Sequence, residues 1–234
     1  MGYQIMNLWK SFKNLNRFEL CLWLFSALGV SLSFLLSPSK DYLSLMASLI
    51  GVTSLIFIAK GDVIGQILTI IFSLLYGIIS WQFRYYGEMI TYLCMTAPTA
   101  LAAVITWIKN PYAEREVKIS VMTPKKFILV MLANAAVTAA FYFILEALDT
   151  NNLIVSTVSV ATSFAAASLL VLRSPYYALF YGANDIVLIV MWVLASIEDP
   201  SFLPMIACFF MFLFNDVYAY INWNRMRRRQ LRGE

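Results

Sequence analysis

Histidine is absent from this 234-residue chain, and its three cysteines, Cys21, Cys94 and Cys208, stand singly inside apolar runs far apart in sequence. Haem ligation by histidine, zinc hydrolysis and Ser-His-Asp triads are excluded together, and neither a disulfide framework nor a Cys/His metal site can be drawn. Charge is scarce as well: 13% of residues are charged and 61% hydrophobic, with a mean hydropathy of +0.75. Soluble domains carry about 25% charged residues, so this chain needs lipid as its solvent. A P-loop is missing, which excludes ATP hydrolysis by the chain itself. No lysine sits mid-span as a retinal Schiff base requires, acidic residues are too few for a metal-dependent phosphotransferase, and no carbonyl-filter repeat occurs.

What is present is a succession of apolar runs over 18–37, 42–59, 62–83, 86–108, 127–148, 151–172, 176–195 and 201–222. Each approaches the roughly 20 residues a helix needs to cross the hydrocarbon core. The fold class is therefore all-α integral membrane with eight transmembrane helices. The first run is too long for the apolar region of a signal peptide and has no small-residue cleavage site. Ahead of it, Ile5, Leu8, Trp9, Phe12 and Leu15 recur at helical spacing between Lys10, Lys13 and Arg17, a pattern that suits a short amphipathic helix on an anionic membrane face. Breakers mark the turns: Ser-Pro-Ser-Lys-Asp at 37–41, Lys-Gly-Asp at 60–62, Asp-Thr-Asn-Asn at 149–152 and Arg-Ser-Pro at 173–175, with Asp62 a natural N-cap and Pro175 a first-turn proline. Of the 17 Lys and Arg, all but Lys40 and Arg84 fall on one side of this alternation. By the positive-inside rule that side, with both termini, is cytoplasmic.

The chain also resembles itself. ITWIKN (105–110) ends the fourth run and INWNRM (221–226) the eighth, and small-residue-rich spans lead into Lys60-Gly-Asp62 and Arg173-Ser-Pro175. Two parallel three-helix repeats with one helix between them give a 1+3+1+3 plan, which transporters use. The expected units are 1–41, an amphipathic N-terminus and extra first helix; 42–108, repeat 1; 109–150, a cytoplasmic loop and linker helix; 151–224, repeat 2; and 225–234, a basic tail.

Polar side chains at mid-membrane are candidate functional residues. The seventh run offers Tyr177, Phe180, Tyr181, Asn184 and Asp185, the eighth Asn215, Asp216, Tyr218 and Asn222, and the first repeat Gln66, Tyr76, Tyr86, Glu88, Tyr92 and Thr96, with Pro98 near mid-span. Amides and phenols suit a solute with hydroxyls, and aromatic faces suit a flat ring, a cationic one above all. The competing reading is that Asn and Tyr bond helix to helix. Asp185 and Asp216 fit proton carriers, counter-charges or neutral acids equally well; Glu88 and Glu146 are expected to be solvated near outer helix ends; Asn134 lies in the linker helix.

SLIGVTSLIFIAKG (48–61), LLYGIISWQFRYYGEM (74–89) and NDVYAYINWNRMRRRQ (215–230) resemble stretches of the PnuC family of vitamin transporters, and the resemblance spans about residues 42–230. It implies two parallel three-helix bundles joined by a linker helix, similar to the SWEET sugar transporters. It also implies uptake of nicotinamide riboside by facilitated diffusion, with trapping by an intracellular kinase. By the same resemblance Phe180, Tyr181 and Asn184, Asn215 and Tyr218, and Tyr76, Tyr86 and Gly87 stand at family positions, the first three against substrate. Two departures fall at the site: Phe180-Tyr181-Gly182 where the family has tryptophan just ahead of Asn184, and Tyr92 where it often has Asn. Substrate-binding residues are thus expected among Tyr177, Phe180, Tyr181, Asn184, Asp185, Asn215, Tyr218, Gln66, Tyr76 and Thr96. The expected partners are the vitamin and the bilayer, with a homo-oligomer left open and no nucleic acid, cofactor or catalytic activity. Carriers of thiamine, riboflavin or nucleosides, and a non-transporting accessory protein, are the alternatives.

Overall fold

The computed structural model describes residues 8–37, 40–82, 85–113, 116–198 and 203–233. Ile5, Pro38, Ser39 and Arg84, singled out above, lie outside them. A short helix α1 (Leu8–Lys13) precedes α2 (Arg17–Leu36), α3 (Tyr42–Ala59) and α4 (Val63–Gln82). The fourth span is composite: α5 (Tyr86–Ile90), a π-helical segment (Thr91–Thr96) and α6 (Ala97–Lys109). A small hairpin of β1 (Pro111–Ala113) and β2 (Glu116–Val117) leads to α7 (Pro124–Ala147), α8 (Leu153–Val171), α9 (Tyr177–Glu198) and α10 (Leu203–Arg232). Eight of these segments are long and apolar enough to cross a membrane, so the chain is a multi-pass membrane protein.

Local chemistry sets the helix starts. Asn16 and Glu19 close a reciprocal capping box on α2, with Glu19 N–H donating to Asn16 at 2.9 Å and Asn16 N–H to Glu19 at 2.7 Å. Asp41 accepts from the Leu43 and Ser44 N–H groups at the head of α3, and Asp62 accepts from Ile64 N–H at 3.0 Å at the head of α4. Each cap satisfies donors that a helix start leaves orphaned, which matters most where water is far away. Close approach of α3 to α4 depends on Gly65, where a Cβ would come within 2.6 Å of the Ile58 backbone nitrogen.

The core consists of α3, α4, the composite span, α8, α9 and α10, while α2 packs outside on α3 and α10, and α7 on α8. Only 11% of the most apolar stretch of α7 is buried, and its exposed Ile128, Leu129, Leu132 and Phe143 face where lipid tails would lie. The two three-helix units meet reciprocally. Gly61 N–H donates to Ile58 O and Asp62 N–H to Phe57 O after α3; Arg173 N–H donates to Leu170 O and Ser174 N–H to Leu169 O after α8. Gly61 and Arg173 both have positive φ, 70° and 57°, the left-handed conformation that ends a helix in this motif. Trp223 of α10 donates its indole N–H to Ile58 O at 2.8 Å, and Trp107 of α6 donates to Leu170 O at 3.4 Å. Each unit's last helix thereby latches the end of the other unit's first. The loop between them ties in both turns, Val117 N–H donating to Gly61 O and Ser120 N–H to Arg173 O.

Two elements differ from expectation. Helix α10 continues to Arg232 instead of ending near 222, because Gln230 bonds Glu116, Val117 and Ile119 of the loop and Arg229 pairs with Glu116. The segment before the first span docks onto the bundle over part of its length. Phe12 meets Trp23 and Phe57 edge-on at 5.0 Å, and Ser11 donates to Asp62 at 2.6 Å.

Candidate functional site: an acidic, aromatic cavity at mid-bundle

Pro98 has no N–H to give the Cys94 carbonyl one turn back, so the fourth span cannot keep its i→i−4 ladder there. The chain responds by widening: Ala97 N–H bonds Tyr92 O five residues earlier, and the Thr99 hydroxyl donates to Met95 O at 2.7 Å and Thr96 O at 3.0 Å. This π-helical turn swings Tyr92 and Thr96 onto one cavity wall.

The cavity, about 50 Å³, is lined by Tyr92 and Thr96, by Ser54, Leu55 and Ile58 of α3, Thr69 and Phe72 of α4, Leu170 of α8, Tyr181 and Asp185 of α9, and Phe212 and Asp216 of α10. The register that relates the two turns, Ile58 to Leu170, also relates Thr69 to Tyr181, and the register of the two latching tryptophans relates Thr96 to Phe212. The cavity therefore lies where the two units face each other. At roughly 10–15 Å³ per water it holds a few waters, so a nucleoside-sized solute needs its rings to part.

Asp185 and Asp216, 3% and 2% exposed, meet side chain to side chain across the α9–α10 interface. One Asp185 oxygen, Oδ2, has no partner in the protein. Two carboxyls this close and this dry are comfortable only when they share a proton or face a cation. No Lys or Arg is among the lining residues. The outer wall is aromatic: Tyr92 lies 4.4 Å from Tyr76 and 5.7 Å from Phe72 between ring centroids, and Phe72 lies 5.5 Å from Phe212.

Of the substrate-binding residues expected from sequence, the cavity gathers Tyr181, Asp185 and Thr96, together with the mid-membrane candidates Tyr92 and Asp216. Tyr76 stands one ring behind the wall, its hydroxyl accepting from Trp192 Nε1 at 3.2 Å. Tyr177 is fully buried with its ring 4.7 Å from Trp223, and Phe180 is half-buried against the same cluster. Asn184 faces α8, where its Oδ1 accepts from Ser159 at 3.1 Å and Thr162 at 2.8 Å. Asn215 donates to Ser26 Oγ at 2.9 Å and Tyr218 to Glu19 at 2.7 Å, both on α2, and Asn222 donates to Ala59 O at 2.8 Å. Gln66 is fully buried with no partner for either end of its amide. Glu88, expected in solvent, is 2% exposed, because the α7–α8 turn covers that end of the span; a Cβ on neighbouring Gly87 would meet Leu145 at 2.9 Å. Ser54, Thr69, Phe72 and Phe212 were not foreseen: their types are ordinary in a membrane helix, and only the meeting of the two units gives them a role.

An apolar eight-span bundle enclosing a small chamber that carries a carboxyl pair is the build of a solute carrier. Comparison with known proteins agrees. Residues 41–225 match the family described as nicotinamide mononucleotide transporter. The nicotinamide riboside transporter PnuC of Neisseria mucosa is 30% identical over 237 residues, covering 97% of this chain and 89% of that one. That of Haemophilus influenzae is 22% identical over 192 residues, covering 81% and 82%. A crystal structure of the vitamin B3 transporter PnuC superposes with a TM-score of 0.83 at 27% identity, covering 95% of this chain and 97% of that one. The chain belongs to the PnuC family of membrane transporters.

Proposed function

We propose that this chain carries nicotinamide riboside across a bacterial inner membrane by facilitated diffusion, with both termini cytoplasmic and a separate kinase trapping the product. One observation supports the choice among related solutes: the cavity presents a carboxyl pair and aromatic rings and no basic residue among those that line it. Nicotinamide riboside offers a fixed positive ring and ribose hydroxyls. The ring is matched by Asp185, Asp216, Tyr92 and Tyr181, and the hydroxyls by Thr96, Ser54 and Thr69. The mononucleotide adds a phosphate dianion, which a buried acidic chamber without Lys or Arg repels.

Thiamine, also a fixed cation, is the second reading that the carboxyl pair favours; neutral nucleosides and riboflavin gain nothing from it. Calorimetry on the purified protein tests the choice. Nicotinamide riboside is expected to bind, with its mononucleotide at least a hundredfold weaker, and Asp185→Asn is expected to weaken the riboside at least tenfold. Equal affinity for riboside and mononucleotide would overturn the reading.

A further inference from the structure

Glu88 stands apart from the central chamber, toward the end of the bundle away from the basic loops. Its side chain is buried, yet neither carboxyl oxygen has a hydrogen-bond partner in the protein. Ser159 lies beside it but spends its proton on Asn184. Tyr92 follows Glu88 by one turn on the same span. The tyrosines Tyr76 and Tyr92 lie near it, their centroids are 4.4 Å apart, and Tyr76 is pinned by the Trp192 indole. Tyr92 lies near Asp185 as well and forms part of the central cavity wall. One ring, mounted on the π-helical turn, thus divides a bare carboxyl on one side from a carboxyl pair on the other.

A buried carboxyl that no protein group bonds, close to two tyrosines, is poorly matched to a neutral solute and well matched to a flat organic cation, which aromatic rings attract by their quadrupoles and a carboxylate by its charge. We propose that Glu88, Tyr76 and Tyr92 form a second, outer station for such a cation, of pyridinium or thiazolium type, and that the cation passes Tyr92 to reach the Asp185–Asp216 pair. This rests on the reading of the protein as a carrier of a cationic vitamin. Glu88 sets the rate at which the cation enters, whereas the central pair sets how tightly it is held.

The test uses the full chain in proteoliposomes with nicotinamide riboside, thiamine and the dihydro form of nicotinamide riboside, which has the same shape without the charge. Glu88→Gln is expected to slow initial uptake of both cations at least fivefold. Their equilibrium affinity should stay within twofold, and uptake of the dihydro form within twofold. Glu88→Asp, which keeps the charge but withdraws it by one methylene, should give a smaller loss confined to the cations, and serves alone if the Gln variant does not fold. Equal slowing of charged and uncharged forms would make Glu88 a packing residue and overturn the station, as would no slowing at all. Wild-type protein that carries neither cation overturns the carrier reading and the station with it, whereas a charge-independent loss overturns the station alone.

Discussion

The side-chain carbonyl of Asn184 accepts two hydroxyls, from Ser159 and Thr162, and both come from α8. Removing that acceptor strands the buried Ser159 hydroxyl, at about 1–3 kcal/mol for an unsatisfied group, while Thr162 keeps the Val158 and Ser159 carbonyls. Asn184→Ala is therefore expected to lower the melting temperature in detergent while changing riboside affinity less than threefold; a tenfold loss of affinity at unchanged stability would return Asn184 to the substrate. The sequence marks Asn184 as a polar group at mid-depth, but its partners lie 22 and 25 positions away on another helix, beyond any periodicity. Tyr218 is similar. Its hydroxyl goes to Glu19, which also holds Lys60 at 2.8 Å, and nothing in the spacing of α10 announces a bond to the first span. The two aspartates were legible as ill-suited to lipid, whereas their meeting was not. Glu88 was misplaced because depth along a helix says nothing about which neighbouring turn covers it.

At the scale of elements, the composite fourth span is where local chemistry and the site join. Pro98 was visible as a break, but a proline in a helix can kink it, end it or widen it. The widening follows from packing, and the Thr99 hydroxyl bonds the Met95 and Thr96 carbonyls of the same turn. Pro98→Ala restores a donor and permits an ordinary helix, which rotates Tyr92 and Thr96 out of the cavity wall. Uptake is expected to fall at least fivefold while the melting temperature holds or rises. Full uptake in a more stable variant would mean that the π-helical turn is incidental. The span boundaries themselves were read to within a few residues because lipid demands continuous apolar length. The extra helical turns of α10 were missed because a basic, polar sequence stays helical there through the loop that Gln230 and Arg229 grip.

For the whole molecule, we propose that 42–108 and 151–224 are copies, a reading that the reciprocal tryptophan latches and matched turns support. The orientation drawn from the basic loops is checked by impermeant maleimide labelling of intact cells. Asn151→Cys should label from outside and Lys118→Cys only after permeabilisation; the reverse pattern would invert the topology. Carriage of a fixed cation without a counter-ion also makes uptake electrical. A unit charge is worth about 2.3 kcal/mol per 100 mV, so liposomes held negative inside should accumulate nicotinamide riboside roughly fiftyfold per 100 mV, and the dihydro form not at all. Voltage-independent accumulation would require a proton leaving as each cation enters.

Trp107 and Trp223, the two latching residues, also lie against each other, with ring centroids 5.5 Å apart and planes inclined at 51°. Two chromophores so close and so fixed exchange excitation, and their strong absorption band splits into a paired signal of opposite signs in circular dichroism. Loss of either indole to phenylalanine abolishes such a couplet, and any separation of the two units at that end shrinks it. The junction thus serves as an unlabelled optical gauge of how far the halves of this carrier move apart as it works.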